Sequence, residues 1–304
     1  MSTVVLLGAG ASSGSLDVFP HQPPLGCQLF DALDKLDGVA SRIPEDLKAE
    51  FRENFEVGMA KYYDYADGHI TAFHRELAGY LAQFCPGQNN AYRDLIRLLE
   101  SQDTAYVSLN YDLLLEGSIV SLSRYFHYQP SPLSTDFLVV KIHGSSNFWP
   151  DLSNNLLINC EAGHNAAGDV EAPVVPLDQR STMERCQRDV GFAPSIAMYA
   201  EGKDVRVCRD YIRMQQELWR ELVTQAERVI VIGVRVNPRD AHIWDRLADS
   251  AAKLDYFGLE GDEEGYNDWV AAKGRGNTAF IHGDFAGALI HLRAEKQASG
   301  RAKG

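Results

Sequence analysis

The sequence predicts an α/β fold, a doubly wound, Rossmann-like parallel sheet with one helical and one loop-rich insertion. Two observations lead to this fold class. Short apolar runs rich in β-branched residues recur along the chain without polar–apolar alternation, which is typical of parallel strands covered on both faces. Amphipathic helical patterns separate these runs, and strands that alternate with helices indicate a doubly wound sheet.

Six apolar runs are the predicted strands. They are TVVLL (3–7), TAYVSL (104–109), FLVVKI (137–142), RVIVIG (228–233), LDYFGL (254–259) and TAFI (278–281). Three segments between them carry apolar residues three and four positions apart, as one face of a helix requires: residues 70–84, 89–101 and 211–226. We expect these elements to form a single domain over residues 1–292.

Three segments depart from this alternation. Residues from about 35 to 100 contain helix-like stretches and no convincing strand, which predicts a helical insertion. Residues from about 150 to 210 are rich in Asn, Gly and Pro, with weak strand candidates LLINC (156–160) and APVVPL (172–177). They predict a loop-rich insertion that covers something. The polar end of the chain, residues 293–304, is expected to be disordered.

Composition excludes several classes of function. The 304 residues are 45% hydrophobic and 23% charged, as in ordinary globular proteins. A formal net charge of −13 offers no electrostatic footprint for nucleic acid or an anionic membrane. Five cysteines without a C-x-x-C pair argue against a zinc ribbon and a secreted disulfide framework. With no leader-like segment or long apolar span, we expect a cytoplasmic protein without a membrane partner.

The stretch LLGAGASSGS (6–15) leaves the first predicted strand. Gly8-Ala9-Gly10 begins a G-x-G-x-x-G pattern, but Ser13 stands where the third glycine belongs. Glycines allow backbone N–H groups to approach a diphosphate closely, and a following helix adds positive potential. The alternative is a simple turn, because Gly and Ser commonly mark loops.

Three further predicted strands also end in polar residues or glycine. In open parallel sheets, ligands bind outside the carboxyl ends of the strands. Each residue has a structural alternative, since Asn and Asp cap helices and a lone histidine is often structural. Their coincidence at one edge predicts a nucleotide pocket formed by the following residues: Asn110, Asp112, His143, Gly144, Gly233, Asn237, Arg239 and Asp240.

These motifs, in this order, resemble the sirtuin superfamily. The matching segments are Gly8-Ala9-Gly10-Ala11-Ser12, Asn110-Tyr111-Asp112, His143-Gly144 and Gly233-Val234-Arg235. The resemblance covers most of residues 3–290, with the two insertions poorly matched. It implies a sirtuin-like NAD-binding domain whose contacts to NAD are Gly8, Ala9, Gly10, Ala11 and Ser12 at the phosphates, Gly144 and Gly233 nearby, and Asn237 and Asp284 toward the adenosine.

The sequence departs from protein-deacylating sirtuins in two places. Residues 20–33 replace the usual D-F-R segment, and the paired cysteines of a structural zinc site are missing. Cys160, Cys186 and Cys208 lie far apart, so no metal is expected. In these respects the chain resembles the zinc-less, sirtuin-like NAD hydrolases of bacterial antiphage defence.

That resemblance implies an enzyme that cleaves the nicotinamide–ribose bond of NAD and releases nicotinamide and ADP-ribose. His143 would act as general base toward a ribose hydroxyl or water, and Asn110 would hydrogen-bond that water or the ribose. Asp112 would position the ribose or the nicotinamide amide. We expect Asn110 and His143 to lie on a solvent-facing sheet edge, where alanine substitutions leave the fold intact.

Two alternatives stay open at this point. One is an NAD-dependent protein deacylase or ADP-ribosyltransferase, and the other is a module that senses NAD or ADP-ribose without turnover. The presence of both Asn110 and His143 counts against a pure binder, which needs no base. Because uncontrolled hydrolysis would deplete the host's NAD, we also expect regulation by homo-oligomerisation or by a partner such as an ATPase or an Argonaute-type protein.

Overall fold

The computed structural model describes residues 2–100, 103–131, 136–153, 170–197, 205–237 and 240–301. Strands in this part of the chain are β1 (Ser2–Leu7), β2 (Val18–Phe19), β3 (Cys85–Pro86), β4 (Asp103–Ser108), β5 (Phe126–His127), β6 (Phe137–Lys141), β7 (Phe148–Pro150), β8 (Val174–Pro176), β9 (Arg228–Ile232), β10 (Lys253–Gly258) and β11 (Thr278–His282). Helices are α1 (Ala9–Ser13), α2 (Cys27–Asp34), α3 (Glu45–Glu53), α4 (Phe55–Tyr65), α5 (Thr71–Ala82), α6 (Ala91–Leu99), α7 (Leu114–Ser121), α8 (Gln179–Arg188), α9 (Arg209–Gln225), α10 (Ala241–Asp249), α11 (Glu260–Lys273) and α12 (Phe285–Arg301).

The central sheet has seven parallel strands in the order β11-β10-β9-β1-β4-β6-β5. β1 lies in the middle, the chain next builds outward through β4 and β6, and it then crosses over to build β9, β10 and β11 on the other side. Apart from the two-residue edge strand β5, this is the strand order of the doubly wound dinucleotide-binding fold. The predicted fold class is therefore confirmed, and all six predicted strands are present.

Alternate residues of the strands face two separate hydrophobic layers, as the two-residue period of a strand requires. Val5 and Leu7 of β1 pack into a layer formed with helices α2–α7 and α12. Val4 and Leu6 pack into the opposite layer, formed with α9, α10 and α11. Because both faces are covered, the strands are apolar throughout, which is the pattern visible in the sequence. Helices α5, α6 and α9 confirm the three helices predicted from apolar spacing.

The segment predicted to be helical holds α3, α4 and α5 around an aromatic cluster. Phe51 stacks on Phe30 and Phe73, with ring centroids 4.4 Å and 5.6 Å apart. Two residues of this segment, Cys85–Pro86, form strand β3 and pair with Val18–Phe19. The segment is thus mainly helical, but between α5 and α6 it forms a short antiparallel strand pair that its sequence did not reveal.

The segment predicted to be loop-rich contains more structure than expected. β8 lies within the weak strand candidate 172–177 and pairs with β7. α8 was not predicted, and its ten residues begin after Asp178, whose side chain accepts from the N–H of Ser181. The other strand candidate, residues 156–160, lies outside the described residues.

The expectation of a disordered end is wrong up to residue 301, because α12 continues to Arg301. Side chains of its last turns are anchored to neighbouring elements. Arg293 contacts Asp94 at 2.5 Å, and Lys296 Nζ donates to the Leu98 carbonyl oxygen at 2.7 Å. Glu295 accepts from Arg228 at 2.7 Å. These long-range contacts cannot be seen in a local stretch of small and polar residues.

Within the described residues, no helix combines the length and apolar character needed to cross a bilayer.

The end of α12 gives a test of this correction. Amides of residues 293–298 are expected to exchange hydrogen on the order of 100-fold more slowly than in an unstructured peptide, because the helix is docked. Hydrogen exchange read by mass spectrometry measures this directly. Lys296→Ala, which removes the donor to Leu98, should lower protection in these turns only. Exchange at the unstructured rate in the unsubstituted protein would contradict the docked helix.

Candidate active site

The exits of β9, β1, β4 and β6 lie side by side at the carboxyl edge of the sheet. The strand register pairs Leu7 with Ile232 on one side and with Ser108 on the other, and Ser108 with Lys141. The four loops that follow these strands carry most of the predicted site residues. The topology therefore brings the glycine loop, the Asn110 segment, the His143 segment and the Gly233 turn to one edge.

The glycine loop is interlocked with the Gly233 turn. The Gly8 N–H donates to the Ile232 carbonyl oxygen and the Gly10 N–H to the Gly233 carbonyl oxygen, both at 3.0 Å. A Cβ atom on Gly8 would lie 2.4 Å from the Gly233 carbonyl oxygen. Gly233 itself has φ +67°, and a Cβ atom there would lie 2.0 Å from the Ala11 nitrogen. These glycines allow two backbones to touch, and the two N–H groups predicted to cradle a phosphate are already bonded within the protein.

Asn110 fastens the exit of β4 to this loop. Its Nδ2 donates to the Gly8 carbonyl oxygen and to Ser12 Oγ, both at 2.8 Å, and Ser12 Oγ also contacts Tyr92 OH at 2.9 Å. The side chain is buried, so the expectation that it faces solvent is wrong. Both amide hydrogens are used by these acceptors, and only the carbonyl oxygen is left to accept a hydrogen bond from a ligand.

Asp112 is buried and organises the turn that follows. Its Oδ1 accepts from the N–H of Leu114, the first residue of α7, at 3.0 Å. Its backbone oxygen accepts from Lys141 Nζ at 2.8 Å. The side chain thus has a structural role at the start of α7, as the sequence allowed, and its contact to substrate stays a prediction.

Beneath this turn lies a buried ion pair that the sequence did not reveal. Lys141 Nζ lies 3.2 Å from Glu116 Oε1, and the two side chains are 1% and 6% exposed. Tyr128 OH donates to the same carboxylate oxygen at 3.1 Å. Lys141 ends an apolar strand, FLVVK, and nothing in that run signals an inward-pointing lysine. The pair ties β6 and α7 together directly behind the candidate site.

His143 and His242 meet at the edge of the site. Their Nε2 atoms lie 2.9 Å apart, and both rings are half-buried. Burial and the neighbouring His242 ring lower the pKa of His143 to about 3, and a hydrogen bond to the backbone of Leu109 opposes this shift. Burial likewise lowers the pKa of His242 to about 4. Both imidazoles are therefore neutral at pH 7, the form in which a histidine can accept a proton.

His242 was missed by sequence reasoning. It is the second residue of α10, in the stretch RVNPRDAHIW that already suggested Asn237, Arg239 and Asp240. The available signal was its position in the segment that leads from β9 into the first turn of α10 at the same edge. A histidine on a helix, however, gives no indication of which ring it will face.

Gly144 adjoins a segment that covers the exit of β6. It has φ +80°, and a Cβ atom there would lie 2.1 Å from the Ser195 carbonyl oxygen. The Ala197 N–H donates to the His143 carbonyl oxygen at 2.8 Å, and Tyr111 OH donates to the Ala197 carbonyl oxygen at 2.8 Å. Residues 195–197 of the segment predicted to be a loop-rich cover thus lie against the exit of β6.

The remaining predicted residues lie at turns. The Asn237 carbonyl oxygen accepts from the Asp240 N–H at 2.9 Å, and burial raises the pKa of Asp240. Asp284 is exposed, and its Oδ1 accepts from the N–H of Gly287 at 2.9 Å at the start of α12. Arg239 lies outside the described residues.

No cluster for a metal is present in the described residues, where no three His, Cys, Asp or Glu side chains are arranged to share an ion. Of the cysteines considered for zinc, Cys160 lies outside the described residues. Cys186 and Cys208 are free thiols, and burial raises the pKa of each to about 12. Thiols with such pKa values are protonated at neutral pH.

Comparison with known proteins adds no identification. No protein-family model matches the chain, and no curated protein matches it.

The buried ion pair yields a stability prediction. Lys141→Met should lower the free energy of unfolding by about 3–5 kcal/mol, because Glu116 is left as an uncompensated buried charge. Urea denaturation measures this. The double variant Lys141→Met/Glu116→Gln should be more stable than Lys141→Met alone. Lys61→Met, at an exposed ion pair with Glu50, should cost less than about 1 kcal/mol. An equal loss of unfolding free energy in Lys141→Met and Lys61→Met would contradict the role assigned to burial.

Asn110 gives a second stability prediction, which replaces the expectation of an intact fold. Asn110→Ala should destabilise the protein by about 1–3 kcal/mol, because the buried Gly8 carbonyl oxygen and Ser12 hydroxyl lose a shared donor. The exposed Asn89 is a matched control, and its side chain makes no comparable contact; Asn89→Ala should leave the urea midpoint nearly unchanged. An unchanged midpoint for Asn110→Ala would show that this network is not stabilising.

Proposed function

We propose that this protein is an NAD⁺ hydrolase that releases nicotinamide and ADP-ribose. In this reaction the bond between C1′ of the ribose and the nicotinamide nitrogen breaks, and its electron pair neutralises the pyridinium. Water forms the new C1′–O bond and gives up one proton. The protein must hold the ribose, present a water to its open face and accept that proton.

The observation that carries the proposal is a neutral histidine at the carboxyl edge of a dinucleotide-type sheet. His143 follows β6, which pairs with β4, and β4 in turn pairs with β1, at the edge where this strand order binds its ligands. A general base contributes on the order of 10²–10⁴-fold to such a step. Its low pKa makes the resting base weak, and a negatively charged diphosphate bound nearby would raise that pKa toward neutrality.

Asn110 supports the same reaction in a narrower role than the sequence suggested. With its amide hydrogens held by Gly8 and Ser12, it can act toward a ligand only as an acceptor. An acceptor suits a water or a ribose hydroxyl, each of which has a hydrogen to donate. Support for the proposal thus comes from Asn110 and His143, which would face the ribose. The predicted phosphate loop adds less, since the Gly8 and Gly10 amides already donate to the exit of β9.

Our proposal includes control of this activity. A hydrolase that consumes NAD must be held inactive until needed, as an effector of bacterial antiphage defence would be. We propose that assembly of several copies, or a partner protein such as an ATPase or an Argonaute-type protein, supplies that control.

Incubating the full-length protein with NAD⁺, with and without an acetylated peptide, tests the reaction. Chromatography should detect nicotinamide and ADP-ribose without peptide, because water is the acceptor. His143→Ala should lower the rate on the order of 10²–10⁴-fold. His69→Ala, at an exposed histidine on the helical segment, should keep the full rate.

The other outcomes separate the alternatives. Nicotinamide release only with peptide, together with an acetylated ADP-ribose product, would make the protein a deacylase. NAD⁺ binding without any release, at every protein concentration tested, would indicate a sensor. A rate unaffected by His143→Ala would show that this histidine is not the base.

A further inference from the structure

The contact between His143 and His242 is built from two distant parts of the chain. The residues are 99 positions apart, one at the exit of β6 and the other in the first turn of α10. Both main chains are held in place: the His143 carbonyl oxygen accepts from Ala197 N–H at 2.8 Å, and the His242 carbonyl oxygen accepts from Trp219 Nε1 at 3.1 Å. Since Trp219 is fully buried, the backbone of His242 is anchored in the core.

The contacts of the His143 ring with His242 and with the Leu109 backbone indicate which nitrogen carries its proton. A neutral imidazole has one N–H donor and one acceptor nitrogen. The bond to the Leu109 backbone favours the charged ring, as a carbonyl that accepts from the ring would. With Nε2 facing His242, the nitrogen that donates to Leu109 is Nδ1. Nε2 of His143 is then the acceptor, and the N–H between the two rings belongs to His242.

We propose that His242 is a positioning residue for the reaction: its Nε2–H, donated across 2.9 Å, holds His143 in the tautomer whose Nε2 carries no proton. This inference rests on the proposed function for its consequence, but the assignment of protons between the two rings does not. In solution a histidine prefers the opposite tautomer, with the proton on Nε2. His242 and Leu109 together select the rarer form that a base at this place requires.

During turnover the incoming water or ribose hydroxyl takes the place of the His242 N–H at Nε2 of His143. The substrate proton moves to that nitrogen, and His143 becomes an imidazolium with an N–H on each nitrogen. Leu109 accepts from one of them. His242 keeps its own proton throughout, so no charge or atom is left unbalanced on it.

The pair also predicts how the reaction depends on pH. Titratable groups on the elements packed around His143 are His242 and Asp240 at α10 and Asp112 after β4, and of these His242 lowers the pKa of His143. A base acts only when unprotonated, so activity is lost as pH falls through its pKa. Removing the His242 ring should raise the His143 pKa, and the acid limb of kcat/KM should move to higher pH.

Nitrogen NMR on the full-length protein labelled with ¹⁵N-histidine tests the proton assignment without any substrate. In the unsubstituted protein, His143 should show a protonated Nδ1 and an unprotonated Nε2, and His242 a protonated Nε2. His242→Gln, whose amide nitrogen can take the place of Nε2–H, should preserve the His143 tautomer. His242→Phe keeps the ring volume and removes the donor, and it should shift the His143 signals and its titration.

Activity provides the second readout. His242→Phe should lower kcat at least about 10-fold and move the acid limb upward, since a histidine in the wrong tautomer is a poor base. His242→Gln should recover most of the rate, and His69→Phe should behave like the unsubstituted protein. Unchanged His143 signals, titration and pH profile in His242→Phe would overturn the inference. Failure of NAD⁺ hydrolysis with the expected tautomers would overturn the proposed function alone.

Discussion

The candidate site depends on the close approach of two backbones at the centre of the sheet. Side chains on Gly8 or Gly233 would lie 2.4 Å and 2.0 Å from atoms of the facing loop, closer than any Cβ contact allows. Because both residues are glycine, the exits of β1 and β9 bond to each other directly. That contact joins the exits of β1 and β9. Between these two strands the strand order reverses, and a dinucleotide-type fold forms its crevice there.

A connected path of polar contacts runs from the contact between the β1 and β9 exits to His143 and His242. Asn110 binds the Gly8 carbonyl oxygen, the preceding Leu109 backbone binds the His143 ring, and that ring contacts His242. Fixed backbones at both ends hold this path, so the position of the proposed base, His143, follows from the contact between the β1 and β9 exits. Catalytic groups gain most when their orientation is set before substrate arrives.

A feature of the fold or the site could be predicted where neighbouring residues in the sequence determine it, and could not where it depends on a distant partner. The buried strands were visible because burial on both faces leaves continuous apolar runs such as Val4-Val5-Leu6-Leu7. His143 and Asn110 were visible because they directly follow such runs. Lys141 and His242 were not, since their roles depend on partners from other elements. The docking of α12 likewise depends on Asp94 and Leu98, about 200 positions away in the chain.

The burial that holds the His143–His242 pair in place also makes His143 a weaker base. With the pKa of His143 lowered to about 3, its resting ring has little tendency to take a proton at neutral pH. In the proposed reaction, a bound diphosphate would favour the imidazolium and raise that pKa, and displacement of His242 would remove the ring that opposes protonation. Substrate would thus supply both changes that the base needs. A proposed base arranged in this way would be inert toward water alone and reactive only when the site is occupied, as the proposed hydrolysis of a shared cofactor requires.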